Sequence, residues 1–319
     1  MIVIRKFFIL ILLISNLSSG QNVKLMLPSG HTGYVRSLSF SPDGSILASG
    51  AGVTEDALLL WDTRTGREIN SFKIYDADNI TFSPNGNFLA AGGSSGIRLW
   101  DIKTGEAKSL QNEGGWVYSI AFTSDSKHIA SGFDPPGQGY LHKIQIRSVA
   151  TGQIVGSFSG KIQSVCSMVF SPADSILATS GGIDDPDIVE LWNPWSGRLI
   201  NTFTNSGGDL LISVDGKYLI AGSNERLNIY TIPEGQLIYS GATIGRPVGF
   251  TKEGEIVAYI DNGKTAIFFS LEEKEIKRTL HFDAWYKFAY DSNNNVLASI
   301  ADKGKIVLLD AVNSDVLYT

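Results

Sequence analysis

A short sequence pattern recurs seven times along this chain of 319 residues, at a nearly constant spacing. In each copy a hydrophobic segment runs into a turn of the Ser-Pro-Asp-Gly kind, and a second hydrophobic segment follows. The last apolar residues before the seven turns lie 42, 40, 48, 42, 38 and 40 residues apart: Phe40, Phe82, Phe122, Phe170, Ile212, Phe250 and Tyr290. A sustained period of this length predicts one supersecondary unit copied in an array.

Each copy carries the signals of four β-strands. The first turn, Ser41-Pro42-Asp43-Gly44, uses Pro to preset φ and Asp and Gly to close the turn. Segments of about five residues between Gly, Pro, Asn and Asp clusters are typical of strands, and no long helical stripe competes with them. In the first copy the predicted strands are Val35–Phe40, Ile46–Ser49, Ala57–Trp61 and Arg67–Phe72.

Four antiparallel strands cannot bury both faces of a sheet, so the copies must stack on one another. Radial stacking of such sheets around a channel gives a β-propeller, in which the only remaining strand edges are short and protected. The seven copies use up the chain without room for a second domain. We therefore predict an all-β protein in which residues 21–319 form a single seven-bladed β-propeller of four-stranded antiparallel blades.

Several dipeptides give these copies a resemblance to the WD-repeat family: Gly30-His31, Trp61-Asp62, Trp100-Asp101 and the near-match Trp192-Asn193. The resemblance covers roughly residues 24 to 319. It implies a propeller that serves mostly as a scaffold for protein–protein contact, with the chain termini joined in one blade. Two segments could form the outer strand of the last blade, Val23–Leu27 and Asp315–Thr319. We expect Val23–Leu27 to fill this place, where an unpaired edge would otherwise invite aggregation, and the final strand then to fray or to add outside it.

The resemblance also implies a buried hydrogen-bond network in each blade, made by a His, a Ser or Thr, a turn Asp and the Trp. We expect the first copy to assemble most of it, from His31, Ser49, Asp56 and Trp61. Trp100 and Trp192 hold the Trp position in two further copies. Since the other copies have Arg147, Tyr230, Phe269 and Leu309 there, we expect the remaining blades to depend on apolar packing.

The N-terminus has the three parts of a secretory signal peptide. Arg5-Lys6 precede the apolar run Phe7–Ile14, and Ser18-Ser19-Gly20 supplies small residues before the expected cleavage after Gly20. A membrane anchor is the alternative, but spanning needs about 20 apolar residues and this run is shorter. We therefore predict a signal peptide at residues 1–20, an exported protein that is periplasmic or secreted, and no stable membrane insertion after cleavage.

Net charge and cysteine count limit the kinds of partner that the chain can bind. Without residues 1–20 the chain has 24 cations and 32 acids, a net charge of −8 in place of −6. A net-acidic surface repels phosphate backbones, so we expect no nucleic-acid binding. The single cysteine, Cys166, cannot form an internal disulfide, and its place in the strand Val165–Phe170 predicts a buried structural thiol. We expect a monomer.

Catalytic motifs are absent from the sequence. The four histidines show no metal-ligand spacing. The glycine-rich run Gly92–Gly96 precedes a strand and not a helix N-terminus, so it lacks the aligned amides that hold phosphate. Ser124 and Lys127 have the spacing of a nucleophile pair but fall in the third copy of the first turn. We predict no catalytic residue, no metal and no cofactor.

Two groups of residues are binding candidates on one end of the propeller. Counting back six and four residues from each repeated anchor gives exposed positions at the start of the first strands, where aromatic and Arg side chains contribute most to contact energy. The alternative for each aromatic is packing between blades. The predicted partner-binding residues are Tyr34, Arg36, Asp78, Trp116, Tyr118, Arg246, Trp285 and Tyr286, with Trp116 and Arg246 foremost.

The second group is acidic and lies in loops between second and third strands of the copies. Clustered carboxylates could ligate Ca²⁺, which takes six to eight oxygens, although no known loop spacing is matched. Solvated loop acids are the more common explanation of such clusters. The residues are Glu55, Asp56, Asp134, Asp184, Asp185 and Asp187.

These observations favour an exported, non-enzymatic scaffold that binds a protein or peptide partner at that end. A propeller hydrolase, lactonase-like and possibly metal-dependent, acting at the central channel is the alternative, because fold does not fix function. A regulatory domain whose effector is encoded separately is a third hypothesis.

Overall fold

The computed structural model describes residues 30–52, 57–74, 77–94, 96–110, 115–133, 142–162, 164–181, 188–204, 206–223, 226–242, 245–260, 264–281, 287–301, 305–312 and 316–318. In these ranges every regular element is a β-strand, and the strands form seven antiparallel sheets of four. The all-β, seven-bladed prediction is therefore confirmed. No helix in the described part of the chain is long and apolar enough to cross a membrane.

Each sheet takes four consecutive strands in chain order, so every blade is a chain of hairpins. Blades 1 to 3 contain β1 Val35–Phe40, β2 Ile46–Ala51, β3 Ala57–Asp62, β4 Glu68–Lys73, β5 Asn79–Phe82, β6 Phe88–Gly93, β7 Gly96–Asp101, β8 Ala107–Leu110, β9 Val117–Phe122, β10 His128–Phe133, β11 Lys143–Ser148 and β12 Ile154–Phe158. Blades 4 and 5 contain β13 Val165–Phe170, β14 Leu177–Gly181, β15 Ile188–Asn193, β16 Arg198–Thr204, β17 Asp209–Ile212, β18 Tyr218–Gly222, β19 Leu227–Thr231 and β20 Leu237–Gly241. Blades 6 and 7 contain β21 Arg246–Phe250, β22 Ile256–Ile260, β23 Thr265–Ser270, β24 Glu275–His281, β25 Phe288–Asp291, β26 Val296–Ile300, β27 Ile306–Asp310 and β28 Val316–Tyr318.

The repeated first turn is closed by its own side chains. In blade 1 the Ser41 hydroxyl donates to Asp43 Oδ1 at 2.6 Å and accepts the Ile46 amide at 2.9 Å, while Ser45 N donates to the same carboxylate oxygen at 3.0 Å. Gly44 supplies the positive φ of 71° that the turn requires. The Ser41 hydroxyl and the Ser45 amide lower the pKa of Asp43 because they stabilise its charged form. This local bonding explains why the motif recurs.

The hydrophobic core lies between neighbouring blades. In the first interface, Leu60 and Phe72 of blade 1 pack with Phe82 and Trp100 of blade 2. The Phe72 and Trp100 rings are 5.3 Å apart at their centroids. Second and third strands of the blades are mostly buried, whereas the fourth strands are largely exposed. Each sheet is thus stabilised by its neighbours, as the repeat predicts.

The first strands of all seven blades surround a central cavity of about 520 Å³. Hydroxyl groups on these strands bond to the backbone of the next blade: Phe82 N donates to Ser39 Oγ at 3.3 Å, and Leu210 N donates to Ser167 Oγ at 3.1 Å. Polar side chains in the cavity wall therefore also hold neighbouring blades together.

The last blade is completed by the C-terminal strand. Val316–Tyr318 pairs with β27 as the fourth strand, in the position that we expected Val23–Leu27 to fill. That prediction was wrong for the described residues, because β28 pairs antiparallel with β27 as the fourth strand does with the third in the other blades. Val23–Leu27 and the predicted signal peptide, residues 1–20, lie outside the described residues.

Candidate partner-binding rim

The two ends of the propeller differ in what they display. We call the end at which first and third strands begin the rim, and the opposite end, which carries the Ser-Pro-Asp-Gly-like turns and the turns between third and fourth strands, the turn face. The alternating direction of the four strands fixes this assignment in every blade. The residues predicted to bind a partner belong to the rim.

An ion pair joins blades 1 and 2 at the rim. Arg36 Nη1 lies 3.2 Å from Asp78 Oδ1, and the side chains are 48% and 18% exposed. Both residues occupy the same repeat position, four residues before the anchor of their blade. Exposed ion pairs of this kind contribute little to the free energy of unfolding. For partner binding, the relevant property of this pair is that its charged groups face the solvent.

A second cluster joins blades 5 and 6. Arg246 Nη1 lies 3.3 Å from Asp209 Oδ2, and Tyr259 also bonds to this guanidinium. Burial opposes the charge of Arg246, but the Asp209 carboxylate outweighs it and the pKa of Arg246 is raised. Burial also disfavours the charged form of Tyr259, which for a phenol raises the pKa. The Tyr259 hydroxyl therefore stays protonated at neutral pH. Arg246 is thus held in place by its neighbours.

The aromatic rim residues differ in exposure. Tyr34 is 75% exposed and Tyr118 is 37% exposed, with the Tyr118 ring edge-on to His142 at 6.0 Å. Trp116 is half-buried. Two further predicted residues, Trp285 and Tyr286, lie outside the described residues. In the described part of the rim, aromatic surface is therefore concentrated on blades 1 and 3.

Cys166 lies at the equivalent rim position of blade 4. The prediction of a buried thiol was wrong, because the residue is exposed and lines the central cavity. Its strand is the innermost one of the blade, and its neighbour Val165 points into the interface between blades while Cys166 faces the axis. The Ser164 hydroxyl lies 3.6 Å from the Cys166 sulfur.

The structure brings three of the four predicted network residues of blade 1 together. His31 Nε2 lies 2.7 Å from Ser49 Oγ, and Trp61 Nε1 donates to the same oxygen at 2.8 Å. His31 and Ser49 are buried. The fourth residue, Asp56, lies outside the described residues. This network connects the loop before the first strand to the second and third strands.

Other blades hold shortened versions of this network. Trp192 Nε1 donates to Thr179 Oγ1 at 3.1 Å in blade 4. Trp100 packs in the blade 1–2 interface, with the Arg98 guanidinium 5.5 Å from its ring centre. In blade 5, where Tyr230 replaces Trp, its hydroxyl bonds to Ser206. The expectation that the remaining blades depend on apolar packing is therefore too simple.

Buried polar residues two positions before the Trp position were missed by the sequence reasoning. Asn228 Nδ2 donates to Ser206 Oγ at 3.1 Å, and Gln145 Oε1 accepts from Arg147 Nη2 at 2.8 Å. Glu190, which is 1% exposed, accepts the backbone amide of Lys161 at 2.9 Å. Aligning the seven copies would have found these residues. Blades 1, 6 and 7 have aliphatic residues at the same position, so a polar residue there departs from the pattern.

Two rim residues were also missed: the counting rule reaches Cys166 but stops one residue short of Asp209. Cys166 stands four residues before the blade 4 anchor, and Asp209 stands three residues before the blade 5 anchor. Within the described ranges, no group of three or more His, Cys, Asp or Glu side chains could hold a metal ion. The six loop acids considered as calcium ligands, from Glu55 to Asp187, lie outside those ranges.

The comparisons with known proteins agree with this geometry. A family model described as "WD domain, G-beta repeat" matches residues 22–62, 66–101 and 106–135. The WD repeat-containing protein SL1-17 of Schistosoma mansoni is 32% identical over 178 residues, which is 54% of this chain and 54% of that protein. The Cross-pathway control WD-repeat protein 2 of Flammulina velutipes is 35% identical over 120 residues, 33% of this chain and 36% of that protein.

A third relative is the small ribosomal subunit protein RACK1z of Arabidopsis thaliana, 40% identical over 83 residues, 26% of this chain and 24% of that protein. The alignments therefore span about half, or less, of the relatives' own lengths. These alignments support the repeat and the fold. They do not extend the activities or partners of those whole proteins to this chain.

Proposed function

Because the chain is a divergent member of the WD-repeat family, we propose that it is an exported, non-enzymatic scaffold that binds a protein or peptide partner on its rim. The relatives support the scaffold part of this proposal. One of them is named as a protein of the small ribosomal subunit. The present chain, with its acidic net charge of −6, would take a protein partner and not a nucleic acid.

The observation that carries the rim assignment is the combination of exposed rings and oriented charges. Tyr34 is 75% exposed beside the half-exposed Arg36, and Tyr118 is exposed two blades away. Tyr and Arg are enriched among residues that dominate binding energy, since they offer large contact area and directional hydrogen bonds. The Asp78 and Asp209 carboxylates orient the two rim arginines before a partner arrives, which reduces the entropy lost on binding.

Export is supported by the N-terminal sequence. Arg5-Lys6, the apolar run Phe7–Ile14 and the small residues ending at Gly20 form the layout of a cleaved signal. Intact mass and N-terminal sequencing of the protein from its host's periplasmic or secreted fraction test this. A chain beginning at Gln21 supports export, and a chain that keeps residues 1–20 in the cytosol would overturn it.

Partner binding is tested with two rim double variants, Tyr34→Ala with Tyr118→Ala, and Trp116→Ala with Arg246→Ala. Each is compared with wild type in pull-downs from the extract in which the protein resides, with Ile276→Ala on an exposed outer strand as the control. We expect a partner retained by wild type and by the control to be lost by the rim variants. A partner that stays bound to both folded double variants would remove the rim as its site.

The hydrolase alternative has its own assay. Lactone and ester turnover is measured with Ca²⁺, Mg²⁺ or Zn²⁺ added, together with the melting temperature. We expect neither turnover nor a metal-dependent rise in melting temperature. Turnover that depends on the central cavity would replace the scaffold proposal.

A further inference from the structure

The turn face carries one aromatic residue where its repeat partners have none. The second residue after the third strand of each blade is Arg64, Lys103, Ala150, Trp195, Pro233, Glu272 or Val312. Trp195 of blade 4 is 49% exposed. In blades 1, 2, 3, 5 and 6 this turn is closed by the same backbone hydrogen bond as in blade 4, with Arg, Lys, Ala, Pro or Glu at this position, so the turn itself does not require an indole.

The Trp195 ring is held in a fixed orientation. Its Nε1 donates to the Asp174 carbonyl at 2.8 Å, and the ring stands edge-on to His128 of blade 3 at 5.1 Å. The backbone of Asp174 is fixed in turn, because its carboxylate accepts the Ser124 amide at 2.8 Å and the Ser124 hydroxyl at 2.7 Å. A rigid, half-exposed indole loses little conformational entropy when a partner covers it.

Exposed apolar residues continue from Trp195 into blade 5. Pro172 and Ala173, in the same turn as Asp174, are exposed. Gly216 of the next turn lies against Pro172, and that turn presents Val214, which is 79% exposed. We call the set Pro172, Ala173, Trp195 and Val214 the turn-face patch. Exposed apolar residues gathered on neighbouring turns mark an interaction site more often than apolar residues scattered singly do.

The charge next to the patch is net negative. The two turns of blade 6, residues 251–255 and 270–275, hold five acids and two lysines, and Lys277 of the adjoining strand pairs with two of those acids, Glu273 and Glu275. Lys252 Nζ and Lys274 Nζ donate to backbone carbonyls of neighbouring blades, at 2.8 and 3.1 Å. The turns of blades 3 to 5 hold four acids and three bases, which is close to neutral. A ligand lying across the patch toward blade 6 therefore meets an apolar surface and then a negative one.

We propose that the turn-face patch is a second binding site, for a protein segment that places an apolar side chain on Trp195 and basic residues over the acidic turns of blade 6. Charge complementarity selects this class of segment over an acidic one. The site is on the opposite end of the propeller from the rim, so the two proposals stand or fall separately.

The test uses the full chain labelled with ¹⁵N and three synthetic peptides. One has two lysines and the sequence Leu-Phe-Leu, the second has glutamates in place of the lysines, and the third has Ser-Ser-Ser in place of the apolar residues. The indole N–H signal of Trp195, assigned by its loss in Trp195→Arg, reports where the peptide binds, and titration calorimetry measures the affinity of wild type and of every variant, including those without the indole. Val312→Arg, at the equivalent turn position of blade 7, is the matched control, and Arg64 shows that an arginine fits this turn.

We expect the basic apolar peptide to move the Trp195 signal, with an affinity at least tenfold weaker for Trp195→Arg and unchanged for Val312→Arg. Trp195→Phe, which keeps the ring, should stay within threefold of wild type, and binding should weaken between about 50 and about 300 mM salt. The Tyr34→Ala, Tyr118→Ala rim variant should bind as wild type does.

Three results would overturn the proposal. They are an indole signal that no peptide moves, equal binding of the acidic peptide, and an affinity that Trp195→Arg leaves unchanged. A shift that grows with protein concentration alone would assign the patch to a second copy of the chain instead.

Discussion

Asn293 Nδ2 donates to the Pro42 carbonyl at 2.6 Å, a bond between the last and the first blade across 251 positions of sequence. The neighbouring blade contributes as well, because Lys252 Nζ donates to the Asn293 carbonyl at 2.8 Å. Gly44 lies against the Asp291 side chain on the same side of the ring. The turns that recur in each blade therefore also close the ring on the turn face.

The tight approach at Gly44 gives the first prediction. A Cβ on Gly44 would lie 2.0 Å from Asp291 Oδ2, so Gly44→Ala must displace the Asp291 side chain and disturb its bonds to Asn293 N and Asn294 Nδ2 in blade 7. Gly105→Ala is the control, because Gly105 has a similar φ of 73° but nothing within 4 Å of the added atom. We expect the control to lose about 1 kcal/mol of unfolding free energy and Gly44→Ala to lose about 3. Urea unfolding measures both, and equal losses would show that blade 1 does not close against Asp291.

The second prediction compares one repeat position in two blades. Ser49 of blade 1 bonds to both His31 and Trp61, whereas the buried hydroxyl of Ser299 in blade 7 has no hydrogen-bond partner among the described residues. Ser49→Ala should cost about 2 kcal/mol of unfolding free energy because two buried groups lose their partner, whereas Ser299→Ala should be neutral or stabilising. Thermal and urea unfolding of the two variants check this. The network would have no role in stability if Ser49→Ala unfolded as wild type does.

Most of the fold could be predicted from the sequence because the same pattern of strands and turns occurs in it seven times. Val35–Phe40 was predicted at its observed bounds, since Ser41 and Asp43 fix the turn that follows. The C-terminal strand was misplaced, because both termini offered an apolar segment and only pairing geometry decides between them. The exposure of Cys166 was missed for a related reason: an innermost strand has one face on a cavity, and a strand pattern does not say how wide that cavity is.

The third prediction concerns acid. Hydrogen bonds from Ser41 and Ser45 lower the pKa of Asp43 in the folded chain below its ordinary value, so ionised Asp43 stabilises the fold. That contribution is complete above about pH 4 and is lost as the pH falls through the lowered pKa. Because the carboxylate is largely solvent-screened, we expect Asp43→Asn to cost only about 0.5 kcal/mol at pH 7.

The measurement is urea unfolding of wild type and Asp43→Asn between pH 2 and pH 7. The gap between the two proteins should close as the pH falls through the lowered pKa of Asp43, because the wild-type carboxyl then becomes protonated as well. The Ser41→Ala variant should show a smaller acid-dependent loss of the same sign. A gap that is constant over the whole range would mean that the turn does not perturb the Asp43 carboxyl.

The fourth prediction follows from the position of Cys166 on the axis. An exposed thiol in the central cavity should react with a small disulfide reagent in the native protein, at one thiol per chain. A maleimide carrying a large polymer should react more slowly, because a cavity of about 520 Å³ admits the small reagent and hinders the large one. Cys166→Ser has no thiol and gives the background reading for both reagents. Its unfolding free energy should stay within about 0.5 kcal/mol of wild type, because the Cys166 side chain is exposed in the cavity. Reaction that requires denaturant would place the thiol inside a blade interface and would restore the buried residue that the strand pattern suggested.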